Sequence, residues 1–255
     1  MNRSQNGFSL LIVPIIFIIL IAVSFVTFLV WQGNRSTYRA IDETDVPKIK
    51  HPGLDLAEYD PEVMRAGDVV FWDDTQTLGQ LNVPFIEFGY TIPANSVGPA
   101  KVNPQPTFVT IPEAKVYSLI DGEVIKVEEI YSGDYTIHVA ESKFSPYIFE
   151  TEHVINPRVQ VGDRVTAGQH IAQASTYDAN NFNGNGIVEF GILLKGKPPA
   201  HLCPYTYLDD NIRDEVYTFL RSIYSSWNET PGQEIYNEDL PVPGCVTTEA
   251  VYEVE

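Results

Sequence analysis

Hydrophobic and polar positions follow three different rhythms along this chain. Phe8–Trp31 is a run of 24 residues without a charge. At about 1.5 Å rise per residue it makes roughly 36 Å of helix, longer than a hydrocarbon layer of about 30 Å. It exceeds the apolar region of a signal peptide and lacks a small-residue cleavage site, so it predicts a single N-terminal transmembrane anchor after a short 1–7 segment. Pro14 near its start is tolerated in membrane helices. Arg3 and the α-amine flank one side and Arg35 and Arg39 the other, so charge alone leaves the orientation open.

The second rhythm is that of strands. Residues 32–61 are polar, carry Pro47 and Pro52, and read as a tether. Residues 62–208 hold short apolar runs divided by turn signals, which predicts a mainly β domain of barrel or sandwich type. Val69–Trp72 and Val83–Tyr90 open it. Ile92–Pro106, with four prolines and Gly98, predicts a long surface loop of the kind that borders grooves. From Phe108 the runs are dense: Phe108–Ile111, Val116–Ile120, the Asp121-Gly122 turn, Tyr135–Val139, Tyr147–Phe149, Val159–Val161, His170–Ala174 and Ile187–Leu194.

The third rhythm is helical. Over 209–227, Ile212, Val216, Phe219, Leu220, Ile223 and Trp227 share one face at spacings of three and four, with Asp209 or Asp210 able to cap the start. This predicts an amphipathic helix packed on the sheet domain. Residues 228–255 are acidic and proline-bearing and read as an extended tail.

Within the β region, Thr151–Ile171 (TEHVINPRVQVGDRVTAGQHI) is the most specific stretch. Val159, Val161 and Val165 alternate around Gly162-Asp163, a tight-turn pair, and Gly168 marks a second bend. His153 stands nine residues before Gly162, after the aromatic run Tyr147–Phe149. This stretch resembles the LytM/lysostaphin-type zinc endopeptidases, which cut peptide cross-links in bacterial cell walls. Their cores carry a Tyr-x-His-Leu strand followed by a V-x-V-G-D-x-V-x-x-G-Q-x-I hairpin. The resemblance is strongest over 88–208 and implies a barrel-sandwich sheet, the duplicated hybrid motif.

The resemblance also implies where a metal site belongs. In the family, the His and Asp of an H-x-x-x-D segment and the last His of an H-x-H strand hold zinc. The first His of H-x-H and the His of Tyr-x-His orient the attacking water. Here Asn103 and Thr107 stand at the H-x-x-x-D place, Ile187 and Glu189 at the H-x-H place, and only His153 keeps its family residue. The expectation is therefore no catalytic residue and no metal, with His153, Glu189, Asn103, Thr107 and Ile187 lining a ligand-binding groove in which His153 faces Glu189. Alternatives are a divergent zinc endopeptidase with His153, Glu189 and Asp121 or His138 around the ion, and a structural or adaptor part of an envelope assembly.

Composition narrows the partners. Residues 1–39 contain three Arg and no acid, so the overall formal charge of −18 is more negative still over the remainder. Such a domain repels nucleic acid and anionic surfaces, and no nucleic-acid partner is expected. The partners expected are the membrane and peptidoglycan fragments or an envelope protein, with the soluble domain extracytoplasmic. In an exported domain Cys203 and Cys245 are most simply a disulfide. Metal binding through His201, Cys203 and Cys245 competes, but lacks a fourth ligand at motif spacing.

Overall fold

The computed structural model describes residues 43–71, 83–94, 99–177, 184–229 and 235–252. They belong to one compact unit, Ala40–Glu255. The expected anchor at 8–31 lies outside the described residues, as does the 1–7 segment. Among the described residues no helix is long and apolar enough to cross a membrane.

Nine strands frame the site: β1 (Thr107–Thr110), β2 (Lys115–Tyr117), β3 (Gly122–Glu129), β4 (Tyr135–Ala140), β5 (Tyr147–Ile155), β6 (Arg164–Val165), β7 (His170–Ala174), β8 (Gly186–Leu194) and β9 (Ala200–Leu202). The fold is mainly β, as expected. Antiparallel pairing runs β1-β8-β5-β4-β3-β6 through the centre of one large sheet. β7 joins β5 to β2, and β9 extends β8. Adjacent strands in sequence pair where a short turn allows it, as β4 does with β3 and β5. β5 and β8 are largely buried along their whole length; β8 accordingly reads as a nearly continuous apolar run, whereas β5 carries the polar stretch Glu150–His153.

The helix α1 spans Asp210–Asn228, and Asp209 caps it by accepting from the Asn211 N–H at 3.0 Å. Val216, Phe219, Leu220, Ile223, Tyr224 and Trp227 are its buried face. Each large side chain so removed from water contributes roughly 1.5–3 kcal/mol. Phe85 ties this face to the sheet, with its ring 4.6 Å from Phe108 and 6.5 Å from Tyr224.

Several boundaries differ from the sequence pattern. The stretch read as a tether joins the sheet domain from Val46 onward: Val46, Ile49 and Leu54 are buried in the common core, and Ile49 pairs with Leu208. Sparse aliphatics among prolines hid this packing. The Val159–Val161 arm does not form a strand. Gly162, at φ +96°, makes the turn, but its N–H donates to the Val124 carbonyl, and Arg164–Val165 pairs with Gly122–Glu123. The turn is closed by bonds between Gln160 and Asp163 and pinned in addition to a neighbouring strand. Inside the supposed loop before β1, Thr91–Ile92 pairs with Lys101–Val102, and Asn103 and Gln105 are buried. The tail is fastened at three points: Cys203 is bonded to Cys245, Phe88 pairs with Cys245, and Val251–Tyr252 pairs with β9.

Candidate functional site

β8 lies between β1 and β5, and its register places Glu189 opposite Thr107 on one side and Glu152 on the other. The Thr107 hydroxyl donates to Glu189 Oε1 at 3.0 Å. Two residues along, Ile187 faces Val109. These positions form part of the wall of a cavity of about 330 Å3. Asn103, Thr107, His153, Ile187 and Glu189, the five residues singled out in the sequence, all line it.

His153 reaches the cavity through a β-bulge. Tyr135 pairs with Val154 and Ile137 with Thr151, so three steps along β5 match two along β4. His153 takes up the extra step with φ of +56°, a left-handed conformation that is uncommon outside glycine but that histidine, like Asn and Asp, adopts more readily than most residues. In a regular strand Glu152 and His153 would point to opposite faces; here both line the cavity. The imidazole is 5 % exposed. Its Nδ1 is 3.1 Å from Asp134 Oδ2, its Nε2 is 4.0 Å from Glu189 Oε2, and its ring stacks on Tyr177 at 4.4 Å. Burial works against the imidazolium, but the Asp134 hydrogen bond and the Glu189 carboxylate outweigh it and raise the His153 pKa. Burial likewise raises Asp134, yet its hydrogen bonds from His153 and Ser132 leave its pKa lowered.

Asn103 has a different task. Its amide donates to the carbonyls of Ile86, Glu87 and Gln105, the last at 2.6 Å. It therefore braces the approach to β1 from a buried position.

A second polar group lies beside the first; the sequence offered His138 and His201 only in other groupings and did not point to Glu150 and Glu152. Across the β4–β5 pairing His138 faces Glu150, with Nε2 3.1 Å from Oε1. Glu150 Oε2 accepts from Gln105 Nε2 at 3.0 Å and is 3.8 Å from His201 Nδ1 on β9. Gly191, opposite Glu150, makes room for this: a Cβ there would stand 2.9 Å from Gln105 Cγ. Glu150, Glu152 and His201 line the same cavity as His153 and Glu189. Glu152 has its pKa raised by burial and by its neighbours Glu150 and Glu189. Alternation of inward residues at 150 and 152, with His138 opposite, was the signal available.

Asp121 does not belong here. It pairs with Lys50 at 2.7 Å and accepts from the Ala167 N–H, and it lines a separate surface cavity. The cysteines likewise lie off the groove, among the tail contacts.

The residues that the sequence resemblance sets at zinc-ligand places do not make a zinc set. Ile187 offers no donor atom, the Thr107 hydroxyl is committed to Glu189, and Asn103 brings only a neutral amide oxygen rather than an imidazole or carboxylate. His153 Nε2 and Glu189 remain, two groups where catalytic zinc takes three protein ligands.

No family model matches the chain, and no curated protein sequence matches it. Solved structures similar to it include the catalytic domain, as a point mutant, of the prophage-encoded M23 protein EnpA from Enterococcus faecalis. That match has 17% identity, covers 49% of this chain and 92% of that one, and has a TM-score of 0.37. The catalytic domain of the antimicrobial peptidase lysostaphin from Staphylococcus simulans matches at 17% identity, over 44% of this chain and 81% of that one, with a TM-score of 0.35. A chain of the SpoIIQ–SpoIIIAH pore-forming complex matches at 15% identity, over 64% of this chain and 92% of that one, with a TM-score of 0.39.

Proposed function

We propose that this protein holds a ligand in the groove without cutting it: a LytM-like β domain, tethered to the membrane by 8–31 and facing the cell wall, that binds peptidoglycan peptide or glycan. The observation that carries the reading is the chemistry of the substituted positions. Ile187 and Asn103 stand where the resemblance would put two of the groups that hydrolysis needs, and both line the cavity. Pockets that bind small ligands combine apolar walls with a few convergent polar groups. This one has Ile86, Ile92 and Ile187 beside Glu152, His153 and Glu189. Tyr131, 92 % exposed, and Tyr177, stacked on His153, offer aromatic faces at its edge. Such faces suit sugar rings and peptide planes, and the carboxylates suit a cationic amine on a wall peptide.

The test is retention of soluble muropeptides by the full chain, with Tyr177→Ala and Glu189→Gln beside it. Binding that both substitutions weaken supports the reading. Absence of binding, with a protein partner instead co-purifying stably, would turn the domain into an envelope adaptor. Cleavage of the fragments would make it a divergent endopeptidase.

A further inference from the structure

The His138–Glu150–Glu152 group has a geometry that the groove reading does not require. His138 and Glu150 face each other across paired strands, and Glu152 follows Glu150 by two residues on the same strand. One ligand atom from each of the three lies within 4.8 Å of the others. His138 and Glu150 are buried, and Glu152 is half-buried. A tetrahedral shell around zinc, with bonds of 2.0–2.1 Å, has edges of about 3.3 Å. The His138–Glu150 separation of 3.1 Å is already of that size, and Glu152 needs only a side-chain adjustment.

Charge points the same way. Two carboxylates, Glu150 and Glu152, converge on one cavity from the same strand. Burying like charges together is costly unless a cation joins them. Support around the group also resembles that of a ligand shell. Gln105 fixes the second oxygen of Glu150, and Gly191 leaves space for Gln105 to do so. Outer hydrogen bonds of this kind orient metal-ligating carboxylates.

We propose that His138, Glu150 and Glu152 bind a divalent transition-metal ion, zinc in the first instance, on the floor of the groove. One imidazole and two carboxylates form a nitrogen–oxygen set suited to zinc or manganese rather than to calcium. The ion bridges the His138 imidazole and the Glu150 carboxylate and offsets the charge of the carboxylate floor. The site is displaced from the family positions and shares no residue with them. The inference goes beyond ligand binding in the groove, which stands or falls on muropeptide retention.

The experiment is equilibrium dialysis of the full chain against zinc, with cobalt substitution followed by visible absorption. The expected result is about one ion per chain, with a cobalt band typical of nitrogen and oxygen ligands. Glu152→Gln and His138→Ala should each weaken zinc by at least about tenfold, while Glu189→Gln and His153→Gln should leave it in place. The cobalt band is read on the unaltered protein, so it stands even if a variant fails to fold. No ion on the unaltered chain, displacement of zinc by a modest excess of calcium, or loss of zinc in His153→Gln but not in Glu152→Gln would each overturn the assignment.

Discussion

His153 Nδ1 and Asp134 Oδ2 are 3.1 Å apart in the buried wall of the groove, at the point where β5 bulges. The contact holds the imidazole with Nε2 toward Glu189, and it makes the ring a sensor of pH. Folding raises the pKa of His153, so its stabilising contribution is complete below its ordinary value near 6.5 and is lost as pH rises through the folded value. Folding lowers that of Asp134, so its contribution is present above 3.8 and is lost as pH falls. The pair therefore stabilises most between those limits. Denaturant titrations at a series of pH values should show the loss as pH rises past about 6.5 in the natural protein and not in His153→Gln. Asp134→Asn should shift the His153 titration, read by imidazole NMR, to lower pH.

Glu87 and Tyr224 are a second buried pair, between the sheet and α1. The Tyr224 hydroxyl donates to Glu87 Oε1 and accepts from the Gly244 N–H at 2.6 Å. Burial raises the Glu87 pKa against the easing effect of this hydrogen bond. Tyr224→Phe leaves both partners unsatisfied, at a cost of about 1–3 kcal/mol for each such group. Urea unfolding should show a lower midpoint with little change in slope.

Gly191→Ala should act on the groove from behind. The added Cβ meets Gln105 Cγ at 2.9 Å and its Nε2 at 3.0 Å, so the side chain must shift and its bond to Glu150 is disturbed. Overpacking of this kind costs about 1–3 kcal/mol. Loss of thermal stability should accompany weaker ligand retention, whereas Gly133→Ala, with nothing near its Cβ, tests the glycine φ alone.

Part of this architecture was legible in the sequence because one periodicity dominated. α1 follows its apolar stripe to within a residue of the expected ends, and Asp209 caps it as the pattern suggested. β1, β4, β7 and β8 coincide with apolar runs between turn residues. The places that sequence reasoning missed are those where a tertiary contact overrides local pattern. Asn103 and Gln105 sit among prolines that promise an exposed loop, yet they are buried because the backbone carbonyls of 86–87 and the Glu150 carboxylate need donors. The bulge at His153 leaves no mark in the residue types around it. The sequence groups His138 only as an alternative to Asp121 beside His153 and Glu189, since its partner Glu150 is set by strand register rather than by spacing along the chain.

The Cys203–Cys245 bond closes a loop with a sequence separation of 42. On the chain-entropy model such a closure stabilises by roughly 4 kcal/mol. The double substitution Cys203→Ala with Cys245→Ala should lower stability by about 2–4 kcal/mol. It should also release the 235–252 segment, which proteolysis of that segment would report.

The most direct measurement incubates the zinc-supplied full chain with purified peptidoglycan. It follows sedimentation of the protein with the wall and, in parallel, the appearance of new amino groups. The account predicts that the protein is retained, that retention falls in Tyr177→Ala, and that no new amino groups accumulate. Steady release of amino groups that His153→Gln abolishes would contradict it.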